Sequence, residues 1–252
     1  MKCLVSIVIN TRDNVEKLNS TINSYFDKAD PSLNNFEVIV KADFDDVNTL
    51  NYISTINNDR IRFIVSSRKQ GYSSLHEHVN DMIDLAKGQY ILAIGDDSPV
   101  LTLGWNFILT QHLTQFKVYF LNYQELHSDG TITNLKDKST DMRSFDANSW
   151  NSVGVHPCDF IFPIFPKDLK QIWGTISPHA LVDNWLGDTI KRASHDYKID
   201  LYRFIENIQI QLEISPKENS PEVFQSYLAY VNSSFTFRCI NLLNIYLHGT
   251  EI

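Results

Sequence analysis

Along the first 110 residues the chain alternates between two hydrophobic rhythms. "LVSIVIN" (4–10) is a short run of mostly β-branched residues, the mark of a strand buried on both faces. "NVEKLNSTINSYF" (14–26) then spaces Val15, Leu18, Ile22 and Phe26 at helical intervals. "FEVIVKA" (36–42) and "RIRFIVS" (60–66) return to the strand rhythm. Residues 73–87, "SSLHEHVNDMIDLAK", put Leu75, Val79, Met82, Ile83 and Ala86 on one helical face, and Gly88 is expected to stop that helix as its C-cap. "YILAI" (90–94) reads as a fourth strand. This alternation predicts an α/β fold, with a mainly parallel central sheet flanked by helices.

Beyond residue 110 the pattern is less regular. Residues 125–158 are polar and turn-rich, which predicts loops and short antiparallel strands. "DFIFPIFPKDL" (159–169) is aromatic and punctuated by proline. Ser177-Pro178 reads as the N-cap and first residue of a helix carrying Val182, Trp185, Leu186, Ile190 and Ala193. "YRFIENIQIQLEI" (202–214) alternates as a strand, and residues 221–247 read as a C-terminal helical segment docked on the core. The expected organisation is one domain, 1–252, with halves at 1–110 and 111–215 and a helical segment at 216–252.

Composition narrows the function. The net charge of −8 argues against nucleic acid as a partner, since a polyphosphate backbone is bound by a basic surface. Cys3, Cys158 and Cys239 are scattered, with no metal-ligand spacing, which suits a reducing compartment. The opening "MKCLVSIVINTRDN" turns polar too soon for a signal peptide. No apolar run approaches the roughly 18–20 residues of a membrane span. A cytoplasmic protein with no membrane span is expected.

In open α/β sheets, ligands bind beyond the carboxyl ends of the parallel strands. Here those ends read Asn10-Thr11-Arg12-Asp13, then Asp43, Asp45 and Asp46 in "KADFDDVN", Arg68 in "SSRKQGY", and Asp96-Asp97 in "GDDS". A single Asp after a strand is commonly a turn former or a helix cap. Repetition at successive strand ends points instead to a metal or nucleotide site. The nine glycines include no GxG pair and no GK[ST] loop, so backbone amides are not set to cradle phosphates. A divalent cation on a carboxylate, Mg²⁺ or Mn²⁺, would supply the missing charge. "DFDDVN" is not a calcium loop, because it lacks the glycine at loop position six and the glutamate at position twelve.

The blocks "VSIVINTR", "FEVIVKADFDD", "RIRFIVSSRKQGYSSLHEHVN", "GQYILAIGDDSPVLTLGW" and "HALVDNWLGDTIKRA" resemble, in order and spacing, the GT-A glycosyltransferases of the family 2 type. The resemblance covers residues 4–195. It implies a Rossmann-like GT-A domain with a nucleotide-sugar-binding half (1–110) and an acceptor-binding half (111–215). It also implies transfer of a sugar from a nucleoside diphosphate sugar donor to a hydroxyl of a glycan or other acceptor, with Mn²⁺ or Mg²⁺. By position, Thr11 and Arg12 would border the nucleotide, Asp43 would contact the base, and Arg68 would frame the nucleotide with Gly71-Tyr72 behind it. Asp96 and Asp97 stand where the Asp-x-Asp metal motif sits, with Asp97 as the direct ligand, although the sequence here is Gly95-Asp96-Asp97.

Asp183 matches the catalytic base of inverting members, and the chemistry needs one: an acceptor hydroxyl becomes a nucleophile only as its proton leaves. The other reading of Asp183 is an acid favoured near a helix N-terminus; Asp188 is the fallback base. His195 and His248 are the late histidines available to a metal. His76 and His78 are poorly spaced for joint ligation and read as lone surface or core residues. Trp105, Trp173 and Trp185 could stack on a sugar, but tryptophan is more often core. Two other functions stay open. A sugar nucleotidyltransferase would carry a glycine-rich basic loop where this chain has "NTRDNVEKL", and a non-catalytic sugar-nucleotide or glycan-binding module would suit the imperfect metal motif.

Overall fold

The first predicted strand, β1 (Val5–Asn10), lies between β2 (Phe36–Asp43) and β4 (Tyr90–Gly95) and is parallel to both. The structure is a computed structural model that describes residues 3–127, 129–134, 162–178, 182–214 and 233–248; at Tyr72, Asn134, Asp183, Asn184 and 212–214 it describes the backbone alone. β3 (Ile61–Ser66) adds to β2, again parallel. β8 (Tyr202–Ile214) pairs in parallel with β5 (Val118–His127). β7 (Pro163–Pro166) runs antiparallel to β4 and β5, and β6 (Ile132–Asn134) antiparallel to β5. Among the described residues the order is β3-β2-β1-β4-β7-β5-β6, eight strands counting β8. The sheet is therefore mixed, with a purely parallel quartet at one end.

Each face of the sheet builds its own core. On one side, α1 (Val15–Asp27) brings Leu18, Ile22 and Tyr25 against Ile7, Ile9 and Val38, joined by Trp105 from α4 (Trp105–His112). On the other, α3 (Leu75–Leu85) lays Val79, Met82 and Ile83 over Val8, Ile39 and Ile91. The same core takes in α5 (Asp168–Trp173), α6 (Val182–Tyr197) and α7 (Ser234–His248). A short α2 (Val47–Ser54) links β2 to β3.

Several expectations are corrected. The helix expected over 73–87 is a 3-10 turn (Gly71–Ser74) followed by α3, and it ends at Ala86, whose extended backbone forms the cap. Gly88 is not the cap. A Cβ there would lie 2.4 Å from the Ser6 backbone nitrogen, so the glycine serves a close approach to β1. β5 does not stand out in the sequence because its apolar start, Val118–Leu121, is a short continuous run, and such a run has no period to tell strand from helix. Trp105, Trp173 and Trp185 are all core, at most 5% exposed, and the Trp185 indole donates to Thr236 Oγ1 at 3.1 Å, so none is available to stack on a sugar. The expected Ser177-Pro178 cap is followed by residues outside the description, and most of the expected loop region at 125–158 itself lies outside the described residues.

At the end of the sheet away from the strand termini, Glu37 is a buried hub. It accepts from Ser6 Oγ at 2.6 Å, from the Lys87 backbone N–H at 2.6 Å, and from Arg62 at 2.7 Å, while Ser6 Oγ itself accepts from Gly88 N–H at 2.8 Å. Adding a methyl group at Gly88 collides with this backbone. Gly88→Ala is expected to destabilise the protein by about 1–3 kcal/mol, the usual cost of overpacking. A urea midpoint equal to that of the unmodified protein would overturn the close-approach reading.

Candidate functional site

The carboxyl ends of β1, β2 and β4 open into a cleft of about 710 Å³, lined among others by Thr11, Arg12, Asp13, Lys41, Asp43, Arg68, Asp96 and Asp97. That volume lies in the range of small-molecule sites. Six residues assigned from the sequence therefore converge: Thr11, Arg12, Asp43, Arg68, Asp96 and Asp97. The remaining assignment, Asp183, has its backbone in the first turn of α6, next to the cleft-lining Val182, and its side chain lies outside the description. Asp188, the fallback base, is buried on α6 and is not part of the cleft lining. His195 is exposed near the end of α6, with Nδ1 3.2 Å from Asp196, and His248 ends α7; neither lines the cleft.

The carboxylates at the strand ends divide into distinct jobs. Asp46 is a helix cap: its side chain accepts from the Thr49 backbone at 3.1 Å and from the Asp13 backbone at 2.7 Å. Burial opposes its charge, but those two N–H groups hold its pKa below the ordinary carboxylate value. Asp45 is exposed, and the Arg12 guanidinium keeps its pKa low. Asp43 is buried at 3% exposure between two cations, with Oδ1 on Lys41 Nζ and Oδ2 2.7 Å from Arg12.

At the end of β4, Asp96 accepts from Thr11 Oγ1 at 2.8 Å and from Asn14 Nδ2 at 3.1 Å. Its backbone carbonyl takes the Thr21 hydroxyl at 2.8 Å. These neutral donors orient the first carboxylate. Asp97 is half-buried on the cleft wall, and its Oδ1 lies 2.6 Å from where a Cβ on Gly95 would sit. The glycine leaves room for that carboxylate. Beyond it the chain docks on β8, where Leu101 N–H donates to Gln209 O at 2.8 Å and Gln211 N–H to Pro99 O at 2.9 Å. The acidic loop is thus held on both sides.

Two cleft residues, Asp13 (φ 51°) and Phe162 (φ 59°), have left-handed backbones, a strain that folds tend to keep at functional sites. Arg68 is exposed at the rim, and its guanidinium packs over Gly71 (φ 63°), where a Cβ would come within 3.1 Å of Nε. Among the described residues Arg68 forms no ion pair.

Sequence reasoning passed over two residues here. Lys41 shows itself as a lysine interrupting the apolar run Val38–Ala42 of β2, at 3% exposure. His78 borders the apolar stripe of α3, three residues after Leu75, and it lines the cleft at 4% exposure with Nδ1 unpartnered. Its reading as a core residue holds for burial and misses its place on the cleft wall.

A metal ion here would have hard oxygen ligands. Among the described residues no group of three or more His, Cys, Asp or Glu is gathered to hold one. The donor set fits Mg²⁺ or Mn²⁺ of the kind held by one or two carboxylates and completed by water and substrate phosphates. Asp97, on the cleft wall beside the positioned Asp96, would be the carboxylate to hold it.

No protein-family model and no curated protein sequence matches the chain. Solved structures do. TarS residues 1–349 of S. aureus in complex with UDP is 12% identical, with a TM-score of 0.60 over 98% of this chain and 72% of that one. The same protein in complex with UDP-GlcNAc is 13% identical, with a TM-score of 0.58 over 99% and 74%. At such identity the likeness is one of fold: the chain has the GT-A-type α/β architecture of these glycosyltransferase domains.

Burial, and then the Lys41 ammonium, hold the His78 pKa below the ordinary imidazole value; burial does the same at His76. The unfolded chain therefore binds protons that the folded chain refuses. This stability is fully present above the ordinary imidazole pKa of about 6.5 and is lost as pH falls below it. Denaturant midpoints are expected to drop between about pH 7 and pH 5, and less steeply in His78→Gln. Equal slopes for both proteins would show that His78 is not held neutral by the fold.

Proposed function

We propose that this chain is a metal-dependent glycosyltransferase that takes a sugar from a nucleoside diphosphate donor and delivers it, with inversion, to an acceptor hydroxyl. The observation that carries the reading is the charge pattern of the cleft at the strand ends of a GT-A-type fold. Three cationic side chains, Arg12, Lys41 and Arg68, face four carboxylates, Asp13, Asp43, Asp96 and Asp97. Arg12 and Lys41 are already engaged by acids. Such a cleft does not attract a diphosphate without added positive charge. The TarS structures contain UDP and UDP-GlcNAc, so a UDP-sugar is the first donor class to test.

In this reading Asp97 would hold the cation, and Asp96, fixed by Thr11 and Asn14, keeps the loop in place. A cation held there would supply positive charge to stabilise the departing diphosphate. Arg68, at the rim, adds a guanidinium suited to phosphate oxygens. Asp183 takes the proton from the acceptor hydroxyl, whose oxygen attacks the anomeric carbon as its bond to the diphosphate breaks. The transition state has oxocarbenium character, as in glycoside hydrolysis. No helix among the described residues is long and apolar enough to cross a membrane. The scattered cysteines, which suit a reducing compartment, carry our inference of a cytoplasmic site of action.

Thermal unfolding with UDP and UDP-GlcNAc tests the donor site, because a ligand bound only by the folded state raises the midpoint. The rise is expected only when Mn²⁺ or Mg²⁺ is present, and Asp97→Ala should remove it without loss of fold. A nucleotide-induced shift that survives in Asp97→Ala would sink the metal assignment.

Asp183→Asn keeps shape but cannot accept a proton. Donor binding should persist while transfer falls by about 10²–10⁴-fold. If Asp183 only caps a helix, the change should instead cost about 0.3–1 kcal/mol of stability with turnover near normal.

A further inference from the structure

Lys41 sits in a central strand, 3% exposed, at a position where a buried charge has to justify its desolvation. Its Nζ donates to Asp43 Oδ1 and, at 3.4 Å, to the Ser67 carbonyl. An ammonium has three donor protons. Among the described residues the third has no partner, and Lys41 lines the cleft. Buried ion pairs add little stability, since well-packed apolar residues of the same volume often do as well or better. Retention of this pair on the cleft floor therefore calls for a ligand.

Sheet register says which part of the ligand. Lys41 and Gly95 both pair with Asn10, one from β2 and one from β4. They lie in one row two strand spacings apart, about 10 Å. On the reading above, the diphosphate is held at the β4 end by Asp97. A nucleotide laid along the strand ends from there brings its base to β2, where Lys41 and Asp43 share one face of the strand.

We propose that Lys41 is a donor-recognition residue whose free N–H donates to a carbonyl oxygen of the nucleobase while its other contacts pin Asp43 beside it. The inference rests on the donor reading and deepens it. Lys41 acts on the base and not on the phosphates, and the remaining lone pairs of Asp43 sit next to it to accept a base N–H. Together they present a donor and an acceptor side by side, the complement of the C=O and N–H of an imide edge such as that of uracil. The third Lys41 proton, unpartnered among the described residues, is then satisfied by the ligand.

The test compares binding of UDP and of inorganic pyrophosphate, each with Mn²⁺, to three proteins: unmodified, Asp43→Asn, and Lys41→Met/Asp43→Asn. The double variant leaves no unpaired buried charge, so it keeps the fold even if the single variant does not. The step that removes Lys41 should weaken UDP binding by about tenfold, the scale of one hydrogen bond to a charged donor, and leave pyrophosphate affinity within about twofold. An equal loss for both ligands would make Lys41 a phosphate contact and overturn the proposal. Unchanged UDP affinity would make the pair purely structural and overturn it as well. If the unmodified protein binds pyrophosphate but no nucleoside diphosphate more tightly, it is the donor reading itself that fails.

Discussion

Everything at the cleft depends on the register of three parallel strands, and that register is locked at the opposite end of the sheet. Ser6, Glu37 and the Lys87-Gly88 turn form one buried hydrogen-bonded unit spanning β1, β2 and the approach to β4. Glu37 is a buried acid, 5% exposed, so its bonds to Ser6, Lys87 N–H and Arg62 cannot be exchanged for water at low cost. A slip of one residue would break all of them and turn each strand's core face outward. The same alignment places Lys41, Asn10 and Gly95 in one row at the far end, from which the acidic loops emerge.

Crowded carboxylates are tolerated there because most of them are bound by hydrogen-bond donors or cations of the fold. Asp46 is spent on backbone N–H groups, Asp43 and Asp45 on cations, and Asp96 on a hydroxyl and an amide. What is left facing the cleft is an incomplete set: Asp97 without a gathered ligand group around it, Arg68 without an ion pair among the described residues, and one Lys41 donor. An arrangement satisfied internally would be a structural network. This one, among the described residues, leaves bonding capacity on its cleft side, which suits a ligand carrying both an anionic and a hydrogen-bonding part.

The second half of the sheet makes the first half rigid. β7 inserts antiparallel beside β4, and β8 receives the Pro99–Leu101 segment just beyond the acidic pair. The Asp96-Asp97 loop is consequently not a free tip; α1 holds it through Thr21 and β8 holds its exit. Preorganisation of this kind lets a small number of side chains do electrostatic work, since little has to move when charge arrives.

Much of this was legible in the chain itself. Strands at 4–10, 36–42, 60–66 and 90–94 announced themselves by β-branched apolar runs, and β8 by its alternation, because burial on both faces or on one dictates those patterns directly. The cleft residues Thr11, Arg12, Asp43, Arg68, Asp96 and Asp97 were found by one rule, that ligands gather where parallel strands end. The sequence could not sort those carboxylates, because Asp43 and Asp46 differ only in which neighbours the fold brings to them. Nor could it reveal Lys41, whose role follows from lying in register with Gly95 on a strand distant in sequence, or the duty of Gly88, whose missing Cβ matters only because β1 passes 2.4 Å from where it would be. Local pattern decides what a segment becomes; tertiary contact decides what each polar group on it is for, since charge and hydrogen bonding act through space and not along the chain.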